Sequence, residues 1–446
     1  MACRHQPISQ CRVRARGRGW RGATRSVGIP LRPGSSTGPT RTSVPARTSR
    51  LRRADWRTTI AGVDVAHRDQ ILAFRLASHN LTRRLGARSM VKAAAPCGIQ
   101  ETPLGSAALA FLARVEGLSP AALERALVKD RTLVTLWSVR GAPYVVPASD
   151  LEVFSVGALP FDTTSFKQML GGWADALEKA GVDPLDVLDR MVDAARNLLD
   201  GRTLNVNDLR DRIYAAVPSL ATVKRPAGAH ADMPEPLFRA VGTAGVACIV
   251  AGRGTDAELA RTDQWLRSAP LEPDRTSARA ELARRFLRCY GPATAQQFTE
   301  WTQRSLGDAR DAFSLIEEEL VEVAVDRKPA WLLRCDQKPF SSPPEPDSAR
   351  LLPVQDPFLQ QRDRPTLLPE ETARRKLWQP VRGPGGVLVD GEIVGTWRAR
   401  TKRSLLEVTV EPFGRLSQST REAIEAEAER LAPFRDREAV EVSYVG

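Results

Sequence analysis

The sequence contains no apolar run that approaches the roughly 18 residues of a membrane helix, and its six cysteines include no CxxC pair. Scattered cysteines argue against both a zinc ribbon and a disulfide framework, and they are typical of a reducing cytoplasm. The four histidines do not cluster in the sequence, and we expect His67 and His79, near one predicted helix, to be solvated or capping residues. We therefore predict a cytoplasmic protein with no metal ion and no cofactor.

Acidic residues are almost missing from the first 55 positions, and this shortage accounts for the net charge of +12. The segment has 13 arginines, no lysine and a single acid, Asp55. The rest of the chain keeps 52 of the 65 basic residues and 52 of the 53 acidic residues, so it is neutral. Any affinity of the folded body for nucleic acid must then come from local patches rather than from a global field.

The arginine-rich segment is also poor in large apolar residues, and it has no apolar stretch of the kind found in a secretory signal. Its composition predicts a disordered tail over residues 1–60. An organellar transit peptide is one explanation of the tail. Two simpler explanations are a basic arm that binds phosphates and an upstream extension that is not part of the natural protein.

At 446 residues the chain is too long for one core, and we expect two to four folded domains. Helical patterns cover residues 68–85 and about 105–115, with a loop that holds Arg88 and Lys92 between them. Ser119 has the position of an N-cap for a third helix. Residues 132–139 read as a strand that returns after an Arg-Gly turn. Three helices followed by a β-hairpin predict a winged-helix unit.

A capping box, Ser149-x-x-Glu152, is predicted to open the next helix. Helix and hairpin patterns recur downstream: Asp183-Pro184 is predicted to start a helix, and residues 321–325 to pair with residues 331–333 in a hairpin. A β-meander and an acidic amphipathic helix complete the chain. The predicted fold class is α+β, mainly helical, with tandem winged-helix units. The expected division is the tail over residues 1–60, a winged-helix unit with the candidate site over 61–159, a winged-helix-like unit over 160–272, a third winged-helix unit over 273–345, and the C-terminal β-meander and helix over 346–446.

Six short motifs follow one another between Gly98 and Trp397, and the resemblance that they carry covers about residues 66–435, nearly everything except the tail. They are Gly98-Ile-Gln100, Ala113-Arg114-Val115, Trp137-x-x-Arg140-Gly141, Tyr290-Gly-Pro-Ala-Thr294 with Trp301, Asp356-Pro-Phe with Arg362-Asp-Arg364, and Asp390-Gly-x-x-x-Gly395-x-Trp397. In this order they resemble the bacterial winged-helix DNA glycosylases of the AlkZ/YcaQ type. The resemblance implies winged-helix units around a DNA-binding cleft and excision of alkylated bases, in some members from interstrand crosslinks.

The resemblance also implies a catalytic motif of Gln, an aliphatic residue, and then Gln or Asp. Two registers fit this chain. In one, Ile99 is the aliphatic residue, Gly98 replaces the first Gln, and Gln100 is third. In the other, which we prefer, Gln100 is first, Glu101 takes the aliphatic place and Thr102 is third. The candidate catalytic residues are therefore Gln100, Glu101 and Thr102.

Each of these three residues also has a simpler interpretation. A glutamine amide is not a general base, but it can hold a water in line with the glycosidic bond, or it can make a loop hydrogen bond. Glu101 is a candidate base or cation stabiliser, and equally an acid at the start of a helix. Thr102 lacks the charge of an aspartate, and its alternative role is an N-cap.

Candidate DNA contacts fall into two basic patches and one turn. Arg140 in the Arg-Gly turn is predicted to meet a phosphate or the flank of a flipped nucleotide, or else to bond carbonyls of the turn. Tyr144 is predicted to stack on a base or to pack in the core. The patches consist of Arg83, Arg84, Arg88 and Lys92 before the site, and of Arg398, Arg400, Lys402 and Arg403 in the C-terminal part.

Two functions remain open from the sequence. The first is a DNA glycosylase for bulky or cationic alkylated bases, acting on double-stranded DNA with alkylated or crosslinked bases. The second is a non-catalytic tandem winged-helix DNA binder, a damage sensor or transcriptional regulator. A dimeric repressor fits less well, because no coiled coil or ligand module is evident. A monomer associated with the nucleoid and not with membranes is the expected state.

Overall fold

The computed structural model describes residues 58–60, 63–229, 232–252, 254–270, 274–346 and 349–445. Most of the predicted tail, residues 1–57, lies outside these described residues. Thr58–Ile60, which the sequence places at the end of the tail, form a short strand. About half of the structure is helical and three sheets complete it, which confirms the α+β class.

The α-helices of the described residues are numbered along the chain. They are α1 (Arg68–Ser78), α2 (Met90–Ala94), α3 (Ser106–Arg114), α4 (Pro120–Glu124), α5 (Leu151–Phe154), α6 (Thr163–Leu170), α7 (Gly172–Lys179), α8 (Pro184–Leu198), α9 (Val206–Ala216), α10 (Glu235–Thr243), α11 (Thr262–Leu266), α12 (Arg275–Tyr290), α13 (Ala295–Thr302), α14 (Leu306–Ser314), α15 (Gln337–Ser341), α16 (Arg364–Leu367), α17 (Glu371–Leu377) and α18 (Gln418–Glu429).

The strands of the described residues form sheets of four, six and five strands. The four-stranded sheet has the order β1 (Thr58–Ile60), β2 (Val63–Val65), β9 (Leu320–Val325), β10 (Lys328–Leu333). The six-stranded sheet has the order β3 (Ile99–Gln100), β5 (Pro143–Pro147), β4 (Leu133–Trp137), β7 (Ala247–Ala251), β8 (Glu258–Arg261), β6 (Thr203–Asn205). The five-stranded sheet has the order β11 (Ala349–Leu352), β12 (Gly385–Val389), β13 (Glu392–Lys402), β14 (Leu405–Pro412), β15 (Ala439–Tyr444).

Three stretches of the chain repeat one order of elements: a helix, a short extended segment, two helices, and a β-hairpin whose return strand pairs with that segment. In the first stretch β3 pairs with β5 of the β4–β5 hairpin, and in the second β6 pairs with β8 of the β7–β8 hairpin. In the third, Ala293 bridges to Trp331 on β10 of the β9–β10 hairpin. The first two stretches share the six-stranded sheet through a pair between Thr135 and Ile249.

Several predicted elements are confirmed because their start signals are local. Ser119 caps α4 by accepting a hydrogen bond from the backbone of Ala122. Asp183 caps α8 in the same way, with a proline at the first helical position. The predicted β4–β5 and β9–β10 hairpins are both present.

Other local predictions are wrong. The helix predicted over residues 68–85 ends at Ser78, since Asn80 has a left-handed φ of 56°. The loop predicted around Lys92 contains α2. Ser149 does not cap the next helix, which begins at Leu151 with Asp150 in the N-cap position and no side-chain cap.

A buried ion pair joins the first repeat to the C-terminal part. Arg114 at the end of α3 donates two hydrogen bonds of 2.8 Å to the carboxylate of Asp356, and both side chains are fully enclosed. Two of the sequence motifs therefore meet here and hold the fold together. The described helices include none with the length and apolar character needed to cross a membrane.

Candidate active site

Gln100 ends β3, the short strand that pairs with the return strand of the first hairpin. Its backbone partner is Tyr144 on β5, so the two side chains lie beside each other. Only 6 % of Gln100 is exposed. Gln100 thus lies in a paired strand of the sheet and not in a loop.

The side-chain oxygen of Gln100 accepts three hydrogen bonds. Arg140 Nη2 and Gln360 Nε2 each donate to Oε1 at 3.0 Å, and Tyr144 Oη donates at 3.3 Å. Gln360 Nε2 also donates to the backbone oxygen of Gln355 at 2.9 Å. Because the guanidinium has only donors and the carbonyl only acceptors, these two groups fix the orientation of both amides.

The opposite end of the Gln100 amide is left for a ligand. Within the described part of the chain, Nε2 of Gln100 donates to no protein acceptor, whereas Oε1 is saturated. Gln100 therefore offers a hydrogen-bond donor to whatever binds beside it.

Arg140 reaches Gln100 because of the backbone at the hairpin turn. Arg140 and Gly141 both have left-handed φ values, 61° and 63°. For a residue with a Cβ this conformation costs free energy that its surroundings must offset. Arg140 Nη1 donates to the backbone oxygen of Trp301 at 2.9 Å and Nη2 donates to Gln100, and these two bonds hold the turn.

The structure separates the three candidate catalytic residues. Both carboxylate oxygens of Glu101 accept backbone N–H groups at the start of α3, Gly105 at 2.8 Å and Ala107 at 2.8 Å. Thr102 is exposed, and it is not among the residues that line the cavity at Gln100. Glu101 is thus positioned as a helix cap, the simpler of its two interpretations.

The surroundings of Gly98 bear on the register of the motif. Gly98 has a left-handed φ of 68°, and a Cβ there would lie 3.1 Å from both Tyr144 Cδ1 and Val146 Cγ1. A glutamine at position 98 would have a strained backbone, and it would require the side chains of Tyr144 and Val146 to shift by a few tenths of an ångström. The geometry favours the register in which Gln100 is the first motif residue.

A cavity of about 290 Å³ opens beside Gln100. Its lining has three arginines and five glutamines but no aspartate, glutamate or histidine among the described residues. The polar lining residues are Gln100, Arg140, Gln303, Gln355, Gln360, Arg362, Arg364 and Gln379. The cavity is therefore positively charged, and it attracts anionic groups such as phosphates.

Arg362 is one of the three arginines that give the cavity this charge. Its Nε is buried and has no hydrogen-bond partner among the described residues. Burial, together with the neighbouring charge of Arg140, lowers the pKa of Arg362 to about 10. The guanidinium remains charged at neutral pH, so a bound anion would be stabilised by it.

A larger cavity of about 530 Å³ shares Arg140 and Gln303 with the first. Trp173 and Met169 give it an apolar side, and Arg239 and Arg304 line it elsewhere. Arg140 is thus a wall of both cavities.

Sequence reasoning missed the residues that complete the site. Gln360, Arg362 and Arg364 lie beside or within a quoted motif, but that motif was assigned no role. Gln360 is 260 positions from Gln100, so only the fold brings their amides together. The sequence offered one indication of these residues: the five positions 360–364 are all polar, with no apolar residue at helix or strand spacing.

The predicted DNA contacts have different environments. Tyr144 is 1 % exposed and packs in the core, where burial raises its pKa. Arg84 is held by Glu427 at 2.5 Å. The exposed members of the first patch are Arg83, Arg88 and Lys92.

The second basic patch is exposed but partly paired. Arg400 and Lys402 both contact Glu407, at 2.7 and 3.1 Å. Arg398 donates to Gln379 Oε1 at 2.9 Å, and Gln379 lines the cavity at Gln100. Arg403 is exposed in the turn between β13 and β14.

Comparison with known proteins places these observations in context. A family model described as DNA glycosylase AlkZ-like matches residues 93–434. An interstrand DNA cross-link repair glycosylase of Streptomyces sahachiroi is 25 % identical over 374 residues, which are 81 % of this chain and 95 % of that protein. The solved structure of Streptomyces sahachiroi DNA glycosylase AlkZ, 23 % identical, has a TM-score of 0.67 and shares the fold over 84 % of this chain and 98 % of its own.

Proposed function

Because the chain belongs to the AlkZ-like DNA glycosylase family, we propose that it hydrolyses the N-glycosidic bond of positively charged alkylated bases in double-stranded DNA. The observation that carries this proposal is the fixed amide of Gln100, which presents its NH₂ group, without a protein acceptor among the described residues, to a cavity lined by arginines. The related Streptomyces protein is named for the repair of interstrand cross-links, and such lesions in duplex DNA are candidate substrates here.

In the proposed reaction Gln100 Nε2 donates to the oxygen of the attacking water. The water adds to C1′ of the sugar as the bond to the base breaks, and the bonding electron pair leaves with the base. A cationic base becomes neutral in this step, so it departs without a proton from the protein. The water loses its proton to solvent or to a DNA phosphate.

The lack of a carboxylate in the described lining of the cavity supports this choice of substrate. Retaining and inverting glycosidases use a pair of carboxylates as acid, base or nucleophile. The described lining of this cavity has no carboxylate, and Glu101 already caps α3. A neutral base, which needs protonation to leave, therefore fits poorly, whereas a lesion that already carries the positive charge needs no acid.

We infer further that the three repeats of helix, extended segment, two helices and hairpin are tandem winged-helix units, as the predicted division of the chain has them. The hairpins would act as wings around a DNA-binding cleft. Arg362 and Arg364 in the cavity, with exposed Arg83, Arg88 and Lys92, are the proposed phosphate contacts. A monomer is sufficient for this arrangement.

One observation favours a non-catalytic DNA binder as the second candidate. Only Gln100 of the three motif residues lines the cavity, since Thr102 is exposed and Glu101 serves as a cap. A protein that had lost its catalytic residues could still bind DNA in the cleft without excising a base.

A lesion-excision assay separates the two candidates. A duplex with one N7-methylguanine is incubated with the wild type, with Gln100→Ala and with Gln296→Ala, an exposed glutamine on α13 as control. Strand breaks are measured after alkaline cleavage of abasic sites. We expect the wild type and the control to excise the base and Gln100→Ala to be about 100-fold slower, as for the loss of one donor in an active site.

The same assay has two contrary outcomes. Equal excision by the wild type and Gln100→Ala would remove Gln100 from the mechanism. Retained binding of the duplex by the wild type, measured by fluorescence anisotropy, without excision would establish the binder. A duplex with the neutral lesion 8-oxoguanine is expected to remain uncut.

A further inference from the structure

A buried group of one histidine and two cysteines lies outside the cavity at Gln100. His79 follows α1, Cys97 lies between α2 and β3, and Cys289 is in the last turn of α12. One ligand atom from each lies within 4.8 Å of the other two, and all three residues are buried. Their separation in the sequence is why the sequence predicted no metal site. His79 is the C-cap residue of α1, as one of its two predicted roles has it, but its side chain is buried and not solvated.

We propose that His79, Cys97 and Cys289 form a binding site for Zn²⁺. Zinc bonds of about 2.3 Å to sulfur and about 2.0 Å to nitrogen put tetrahedral ligand atoms about 3.6 to 3.8 Å apart. Cys97 Sγ and His79 Nδ1 are 3.9 Å apart. A contraction of at most about 1 Å in any pair would complete the geometry.

The charge and hydrogen bonding of the group agree with this assignment. Two thiolates neutralise one Zn²⁺, so the bound site carries no net charge into the core. Without a metal the imidazole is poorly satisfied: His79 Nε2 has no partner among the described residues, and Nδ1 meets only the sulfur at 3.9 Å. The neighbouring ion pair of Arg114 and Asp356 is balanced within itself.

A tyrosine hydroxyl lies beside the three proposed ligands. Tyr290 Oη lies 3.9 Å from Cys97 Sγ and donates to the backbone oxygen of Pro357 at 2.8 Å. Cys97 precedes Gln100 by three residues, and Pro357 precedes Gln360 by three. A metal here would tie together α1, α12 and the strand that carries Gln100, and its role is structural.

The test uses the full chain with four cysteines replaced, Cys3→Ser, Cys11→Ser, Cys248→Ser and Cys335→Ser, so that Cys97 and Cys289 alone remain. We expect about one zinc per chain by elemental analysis after dialysis. Reconstitution with Co²⁺ should give a thiolate-to-cobalt charge-transfer band in the near ultraviolet. Adding Cys289→Ser should abolish stoichiometric binding and weaken this band.

Two results would overturn the proposal. One is that the variant without the other four cysteines is folded, as checked by circular dichroism, and melts at the same temperature as the wild type, but holds neither zinc nor cobalt. The other is a wild type that binds the metal while the variant does not, which locates the metal on another cysteine. Both results compare the wild type with a variant that keeps all three proposed ligands. They therefore remain informative even if Cys289→Ser prevents the protein from folding.

Discussion

The amide of Gln100 has a fixed direction, and the fixing groups can be tested one at a time. Tyr144 donates to Oε1 at 3.3 Å, while Arg140 and Gln360 donate at 3.0 Å. Replacing Tyr144→Phe removes one donor and leaves two. We expect excision to stay within about threefold of the wild type and the free energy of unfolding to fall by about 1 kcal/mol, measured by urea denaturation.

A second substitution, Tyr144→Leu, decides whether the ring of this tyrosine contacts DNA, because leucine removes the aromatic ring that Tyr144→Phe keeps. Since Tyr144 is 1 % exposed, its ring cannot stack on a base in this conformation. The dissociation constant of the folded variant for duplex DNA should be unchanged. A large loss of affinity with Tyr144→Leu and none with Tyr144→Phe would mean that the site opens on binding and that the stacking hypothesis holds.

Single residues were predictable from the sequence where their neighbours are close along the chain. Gln100, Arg140 and Tyr144 were all selected, and the structure brings these three together because β3 and the hairpin are adjacent strands. Gln360 and Arg362 were not selected, since their place in the cavity depends on packing of the C-terminal part against the first repeat. The periodicity of a sequence does not show which distant parts of the chain pack together.

The start of α3 gives a second prediction. Glu101 accepts the N–H groups of Gly105 and Ala107 with two separate oxygens. Glu101→Gln keeps one acceptor, and we expect a loss of about 0.5 to 2 kcal/mol in the free energy of unfolding with little change in excision at low temperature. Exposed Glu124→Gln is the matched control for the loss of one charge.

The contrary result for Glu101 is equally specific. If Glu101 were a general base, Glu101→Gln would lower the rate of excision about 10²- to 10⁴-fold and leave the free energy of unfolding unchanged. Such a loss would return Glu101 to the mechanism and require a movement of the carboxylate away from the helix.

Elements were predictable where the chain carries a local start or turn signal. Ser119 and Asp183 marked their helices correctly, and the hairpins followed from alternating apolar residues. The end of α1 and the strand β3 were missed for a tertiary reason. Ile99–Gln100 is only two residues long and exists because β5 pairs with it, and Leu85 leaves the helical pattern to bridge with Val115.

The composition of the whole cavity predicts an unusual response of the rate to pH. The described lining has no group that titrates near neutrality, and Arg362, with a pKa of about 10, stays charged throughout that range. The single-turnover excision rate for N7-methylguanine should therefore be constant from about pH 6 to 9. A bell-shaped profile would show that a carboxylate or histidine from elsewhere enters the site.

The charge of the whole chain is divided between the tail and the body, and the division predicts how salt affects DNA binding. Residues 1–55 carry the entire net charge of +12, and the remainder is neutral. Each phosphate contact contributes a slope of about −0.9 to log K against log salt. Deleting residues 2–55 should make that slope less steep, measured by anisotropy over a salt series, while excision from bound duplex is retained. An unchanged slope would mean that the arginines of the cavity and the exposed patches supply the contacts, and lost excision by a folded, binding variant would give the tail a part in the reaction.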